Sequence, residues 1–405
     1  MPEPIRVVML DLLSIVPYYT GHLCAALRDC GGVQIKLASI SYQHDPDCFR
    51  RQGIRNDPGL FNFAYRLRGT LPMVRRLLKA FECLGNMAAL MIRFTLRKPD
   101  LVHVQFLPLA SYGLPMDQWF LRLARALGIP LVYTVHNVLP QDSGPRHKAA
   151  YRRIYQLADR LICHDTHAAS RVAMEFSVKP EKITVIPHGP LFQERLGGSS
   201  ERARERLGLT PNECLVLWQG ILRPYKGVSF LLHAWQQVCS KDPQARLAVV
   251  GAGDRDLEQA IEDEVRVLGI QSRVRLELRF VSVQELTDFY RAADVLVYPY
   301  REITTSGALL TGAVYGKPIV ATALPAFEQI LRHGETALLV HYGDVGALAS
   351  ALLRLIGDED LRRTLGERLL ANGFPQWPEI ASRTYECYRA AVAARSICKP
   401  QPVRV

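Results

Sequence analysis

No stretch of the 405-residue chain reaches the roughly eighteen consecutive apolar residues a membrane-spanning helix needs. The opening MPEPIRVVMLDLL has no charged leader with an apolar run and cleavage site behind it, so it reads as a first buried strand and not as a signal peptide. The nine cysteines show no short paired spacing, and no Cys/His cluster has the spacing of metal ligands. Cys24, Cys163 and Cys214 lie inside apolar runs, as reduced core thiols of a cytoplasmic protein would. A dinucleotide fingerprint is missing too: Gly251-Ala252-Gly253 makes a tight turn, but the third glycine is absent. No Asp-x-Asp element stands where a metal-bridged diphosphate would need one. Asp254-Arg255-Asp256 has that spelling, but it reads as acidic charge at the start of a helix.

What remains is ordinary for a large globular chain: 48% hydrophobic and 22% charged residues, with length for two or three domains. The net charge of +11 is uneven. Between Arg50 and Asp100 eleven basic residues meet three acidic ones. Residues 60–98 interleave those arginines and lysines with Phe61, Phe63, Leu77, Phe81 and other apolar residues, which predicts one or two amphipathic helices. Such a segment is either a domain helix with a solvated basic face or a peripheral contact with anionic membrane. Nucleic acid is not expected, because stacking platforms and a recognised binding module are both missing.

Strand and helix signals alternate through both halves. Residues 5–11, 33–39, 101–106, 130–135, 159–163 and 182–187 read as strands of one parallel sheet with helices between them. Residues 214–219, 245–250, 274–278, 295–297, 319–321 and 337–340 repeat the pattern. The expectation is an α/β protein of two doubly wound, Rossmann-like domains facing a central cleft. The N-terminal domain takes 1–195, a linker with a short capped helix 196–212, and the C-terminal domain 213–373. A C-terminal helix, 374–395, packs back on the first domain, and 396–405 is a flexible tail.

Chemistry gathers beyond the carboxyl ends of parallel strands. Gly220 opens the loop GILRPYKG, where Arg223 and Lys226 could hold a diphosphate or be two solvated loop cations. Ser306 and Gly307 begin a helix after a strand, which suits either phosphate or a plain N-capped turn. Gly251 turns tightly after its strand, and Arg279-Phe280-Val281, following a strand, could offer backbone groups to a base, which the sequence by itself does not decide. His136, His164 and His188 each follow a first-half strand. Of these His136 is the candidate, because Thr134 and Asn137 cluster beside it.

In order, GILRPYKGVSFLLHAW, VVGAGD, FVSVQELTDFYRAADVLVYPY, SGALLTGAVYGKPIVATALPAFEQIL and GETALLVHYGDVGALASAL resemble a retaining glycosyltransferase of the GT-B fold, most similar to glycosyltransferase family 4. LVHVQF, YTVHN, ADRLICHD and KITVIPHG extend the likeness more loosely. The resemblance implies that Lys226 binds phosphate, that Ser306 and Gly307 lie under the diphosphate, and that His136 lies near the sugar. Ile221 occupies the place of the family's arginine, with Arg223 as its replacement. The family's two glutamates, seven residues apart, fall at Ile303 and Thr311. Glu302, one residue off, takes the first role, and Thr311 the second, at the nucleotide. The glycine-rich first loop is replaced by LLSIVPYYTGHL, which puts Tyr18, Tyr19 and Thr20 on the acceptor side. The implied reaction moves a hexose from a nucleotide-diphosphate sugar to a polysaccharide-precursor or lipid-linked acceptor, with retention and without metal or cofactor. A non-catalytic subunit, suggested by Ile303 and Thr311, and a nucleotide-sugar epimerase are the alternatives.

Overall fold

The structure is a computed structural model that describes residues 3–42, 44–64, 72–107, 109–110, 114–139, 147–191 and 199–397. The chain forms two compact units: Met1–Gly189 together with Pro375–Val405, and Pro190–Phe374. The expected tail lies outside the described residues from 398 onward, as do 65–71 of the basic segment and 192–198, which include the first three residues of the expected linker.

In the first unit the elements run β1 (Ile5–Asp11), α1 (Pro17–Asp29), β2 (Val33–Ser39), α2 (Cys48–Arg51), α3 (Pro72–Leu96), β3 (Leu101–Val104), α4 (Met116–Ala126), β4 (Leu131–Val135), α5 (Lys148–Leu157), β5 (Arg160–Cys163), α6 (Thr166–Phe176) and β6 (Ile183–Val185). The six strands make one parallel sheet in the order β2-β1-β3-β4-β5-β6. Strands β3 and β4 are buried along their whole length, as expected where helices cover both faces. The order reverses between β1 and β3, so the carboxyl ends of those strands mark this sheet's switch point. The segment read as one or two amphipathic helices is a single helix, α3. It buries Cys83, Met87, Leu90 and Phe94 against the core and leaves Val74, Leu77 and Phe81 exposed.

The second unit follows with α7 (Ser200–Leu207), β7 (Cys214–Gln219), α8 (Val228–Lys241), β8 (Ala245–Val250), α9 (Arg255–Val267), β9 (Val274–Glu277), α10 (Val283–Ala292), β10 (Val295–Tyr298), α11 (Gly307–Ala313), β11 (Ile319–Thr322), α12 (Pro325–Glu328), β12 (Ala337–Val340), α13 (Val345–Gly357) and α14 (Glu359–Ala371). Its parallel sheet has the order β12-β11-β10-β7-β8-β9, with the switch point between β10 and β7. The described part of the expected linker is built into this unit. α7 is capped by Ser199 at its start and ends at Gly208, whose φ of 71° suits a left-handed turn. Arg206 bonds Asp288 of α10 at 2.5 Å, and Arg204 reaches Asp294 at 2.9 Å. Charged residues that read as linker polarity are the groups that fasten the helix.

The last helix, α15 (Trp377–Ile397), belongs to the first unit. It packs along α1, and its Tyr388 hydroxyl lies 2.6 Å from His103 Nδ1 on β3. Arg395 meets Asp159 at 3.1 Å.

Candidate active site

In the second unit the chain leaves β7 through Gly220, whose φ of 155° disfavours a side chain. A Cβ here would stand 2.9 Å from Lys226 Nζ and 3.7 Å from the Tyr300 hydroxyl, so the glycine keeps open the space those groups share. Leu222 N–H donates to the Ala252 carbonyl at 2.8 Å, tying the loop to the turn after β8. Pro224–Lys226 form one short 3-10 turn, ending at Gly227 with φ 69°. A Cβ at Gly227 would lie 1.8 Å from the Pro299 carbonyl oxygen, so only glycine allows the two switch-point loops to approach. Arg301 N–H closes the same contact on the Tyr225 carbonyl at 2.7 Å.

Lys226 lies half-buried, with its ammonium 5.6 Å from the centre of the Tyr300 ring. No carboxylate among the described residues pairs with it. Burial, and then the nearby Arg223 charge, push its pKa down to about 8. Tyr300 is fully buried, and its hydroxyl makes no well-formed hydrogen bond; Ser306 is the polar group beside it. The Thr305 hydroxyl, one residue before Ser306, is likewise buried without a partner. Ser306 accepts from Leu309 N–H at 3.2 Å and so caps α11. That helix is held down by the Tyr298 hydroxyl, which donates to the Ala308 carbonyl at 3.0 Å. The structure therefore gathers Gly220, Lys226, Tyr300 and Ser306: an unpaired cation, the unfilled Tyr300 hydroxyl and a helix-capping serine at a switch point.

Other candidates stand differently. Arg223 is paired with Asp254 at 3.2 Å. Asp254 is the residue before α9 but makes no side-chain cap; the helix-start charge comes from Asp256 and Glu258. Gly251, with φ 149°, brings its turn against the Gly220 carbonyl, which a Cβ would meet at 1.8 Å. Val281 is buried in the core, leaving only its main chain to face a ligand, and Phe280 beside it is half-buried. Glu302 is exposed, with its carboxylate 3.4 Å from the adjacent Arg301, while Ile303 packs on the core. Thr311, expected at the nucleotide, has its hydroxyl engaged within the fold. It is fully buried, donates to the Gly307 carbonyl at 2.7 Å and accepts from Leu191 N–H at 3.2 Å.

In the first unit a polar cluster sits at the carboxyl ends of β3 to β6. Gln105 follows β3, and its Oε1 position is 3.0 Å from His136 Nε2. His136 Nδ1 is 3.3 Å from His164 Nε2, and His164 Nδ1 is 3.1 Å from the Ile186 carbonyl. Tyr19 packs its ring against His136, His164 and His188, with centroids 4.8, 5.2 and 4.8 Å away. Burial drives the imidazole pKa values down: well below the usual range for His136, to about 4 for His164 and to about 3 for His188. Of the three expected acceptor-side residues, Tyr19 is buried in this cluster. Thr20 is fully buried, its hydroxyl 3.4 Å from Asp11, and only Tyr18 keeps partial exposure, bonded to Asp45 at 3.0 Å. The polar side chain of Thr20 is needed inside, where Asp11 also collects the Ile15 and Val16 N–H groups.

Sequence reasoning passed over Tyr300 and Gln105. Each is a polar-tipped side chain just past the end of a buried strand at a switch point, and that position was the available signal. Among the described residues no group of three His, Cys, Asp or Glu side chains is placed to hold a metal ion.

Two family models cover most of the chain: Glycosyltransferase Family 4 over residues 16–189 and Glycosyl transferases group 1 over residues 213–358. The chain belongs to the family 4 glycosyltransferases. The enzyme is 28% identical over 311 residues to a D-inositol 3-phosphate glycosyltransferase of Nocardia farcinica, a match covering 72% of this chain and 67% of that one. With the enzyme of the same name from Acidothermus cellulolyticus it is 27% identical over 408 residues, 92% of this chain and 88% of that one. Among solved structures it is similar to Anabaena Alr3699/HepE in complex with UDP and glucose, with a TM-score of 0.74, 17% identity, and coverage of 95% of this chain and 100% of that one. A sucrose-phosphate synthase from Thermosynechococcus elongatus gives a TM-score of 0.71 at 22% identity, over 97% and 100% of the two chains. These structural likenesses establish the GT-B fold of the glycosyltransferase.

Proposed function

We propose that this glycosyltransferase moves a hexose from a nucleotide-diphosphate sugar to a polysaccharide-precursor or lipid-linked acceptor, with retention of configuration and without a metal ion. The observation that carries this reading is the unpaired Lys226 ammonium beside the unfilled Tyr300 hydroxyl. A leaving diphosphate gains negative charge as the glycosidic bond breaks, and a fixed cation and hydroxyl donors lower the cost of that charge. Arg223 adds a second cation by exchanging exposed Asp254 for phosphate oxygen. With that charge balanced by side chains, no bridging metal is needed. The UDP and glucose bound by the similar Anabaena protein support a nucleotide-sugar donor. In the first unit, His136 orients a sugar hydroxyl and Tyr18 lies on the acceptor side.

The exposed Val74, Leu77 and Phe81 of α3, with exposed Phe61 and Phe63 nearby in sequence, support an acceptor presented at an anionic membrane surface. No described helix is long and apolar enough to cross a membrane, so the contact would be peripheral.

Thermal unfolding with UDP, GDP and ADP, each with and without a chelator, tests the donor site. A ligand at a hundred times its dissociation constant adds about 2.7 kcal/mol. A shift with one nucleotide, undiminished by chelator, is expected. No shift with any of them would remove the donor site, and turnover of nucleotide sugar without acceptor would favour epimerisation.

A further inference from the structure

The protons on two of the clustered imidazoles can be counted. The Ile186 carbonyl only accepts, and it lies 3.1 Å from His164 Nδ1, so that nitrogen carries a proton. Burial keeps His164 neutral, which leaves a lone pair on its Nε2. His136 Nδ1, 3.3 Å from that lone pair, is then the donor. His136 is neutral for the same reason, so its own Nε2 is an acceptor. With the Gln105 Oε1 at 3.0 Å, two lone pairs would face each other. A half-turn of the amide, which interchanges its oxygen and nitrogen, puts an N–H donor there instead; it gives up the amide's 3.1 Å contact with Met9 Sδ and turns the carbonyl toward that sulfur and the His103 ring. The opposite pair of tautomers fails, because it would set the His164 Nδ1 lone pair against the Ile186 carbonyl oxygen.

We propose that His164 and Gln105 are positioning residues that hold His136 as its Nδ1–H tautomer, so that His136 Nε2 accepts a hydrogen bond from a hydroxyl of the bound sugar. The chain of donors runs from the Gln105 amide to His136, from His136 to His164, and from His164 to the main chain after β6. The main-chain carbonyl is the fixed end, since it cannot donate and its strand is paired to β5. The ring is clamped as well as polarised, because Tyr19 packs edge-on to it at 86°. His136 is half-buried, just past the end of β4. A sugar O–H can replace the Gln105 N–H on that lone pair, whereas a phosphate or carbonyl oxygen cannot. The tautomer thus selects a hydroxyl over an anion at this position. The inference rests on the proposed role of His136 at the sugar, and the tautomer itself can be read without turnover.

The test is long-range 1H–15N correlation NMR on the full-length enzyme labelled at histidine nitrogen, near pH 7.5, with His136 assigned by its loss in His136→Gln. The expected result is a protonated Nδ1 and an unprotonated Nε2 on His136 in the native sequence. In His164→Phe, which removes the acceptor and keeps an aromatic ring, His136 should move to the Nε2–H pattern. Gln105→Glu, which offers only acceptors to Nε2, should move it the same way. A His136 that is Nε2–H or doubly protonated in the native enzyme would overturn the proposal. So would an unchanged Nδ1–H pattern in whichever variant folds. Unchanged turnover in His136→Ala would instead remove the proposed contact with the sugar, whatever the tautomer.

Discussion

The Lys226 ammonium lies 5.6 Å from the centre of the Tyr300 ring, with no carboxylate of the described residues paired to it. A cation kept on an aromatic face and off an acid remains available to an incoming anion. Two elements fix the arrangement: Gly227 lets the Lys226 turn approach Pro299, and Thr322 bonds the Tyr300 carbonyl at 2.6 Å.

Lys226→Ala should lower turnover by about a hundredfold or more, the usual loss when one strong transition-state donor is removed. The binding of nucleoside diphosphate should also weaken as pH rises through about 8, where Lys226 gives up its proton. Above that point the affinity falls by up to about tenfold per pH unit. Steady-state kinetics and calorimetry between pH 7 and 9 check both effects. A flat pH profile that persists identically in Lys226→Arg would place the diphosphate elsewhere.

Thr311→Val should leave nucleotide affinity within about twofold, because the hydroxyl is committed to Gly307 and Leu191. Its cost should appear in stability, at about 1 kcal/mol for each of the two hydrogen bonds lost. Denaturant titration together with nucleotide binding separates the two outcomes. A large loss of affinity without loss of stability would return Thr311 to the nucleotide.

Acid should destabilise the first unit early. In the unfolded chain His103, His164 and His188 take up protons below about pH 6.5. In the folded protein burial delays uptake to about 4 for His164 and to about 3 for His103 and His188. Between those limits the unfolded state holds more protons, so stability falls as pH falls, by up to about 1.4 kcal/mol per pH unit for each histidine. Chemical denaturation from pH 7.5 to 4.5 should show that slope. A stability that is constant down to pH 5 would mean that the folded protein takes up protons over this range as readily as the unfolded chain.

Phe81→Glu, at an exposed position of α3, should reduce co-sedimentation with anionic vesicles while leaving unfolding unchanged. Salt should reverse the binding of the unmodified enzyme, because screening shortens the reach of its basic residues. No binding at low salt, or binding unchanged in Phe81→Glu, would turn the exposed apolar stripe of α3 away from a membrane role, and equal binding to neutral and anionic vesicles would remove the anionic preference.

Much of the architecture was written in hydrophobic runs. Strands such as Val295–Tyr298 are buried on both faces, so their apolar stretches announce a parallel sheet before any contact is known. Lys226 was legible because glycines bracket its loop after a strand. What escaped depended on partners distant in sequence. Nothing local says that the Thr311 hydroxyl is consumed by Leu191, 120 residues away, or that Arg223 would meet Asp254. The polar stretch before β7 read as linker because a helix with one buried residue, Ala203, has little apolar periodicity; its attachment is made by Arg204 and Arg206. The role of Gln105 needs the tautomers of two histidines from other strands, which no spacing encodes.

The assignment of α15 to the first unit has a consequence for how the chain comes into being. Residues Pro190–Phe374 form an uninterrupted unit, but the first unit waits for residues made after that unit. Until Tyr388 arrives, His103 Nδ1 lacks the hydroxyl it meets and α1 lacks the helix it packs along. Domains generally fold as their sequence is completed. Here the half that is begun first is finished last, so a nascent chain ending near residue 374 would carry a folded second unit behind an incomplete first one.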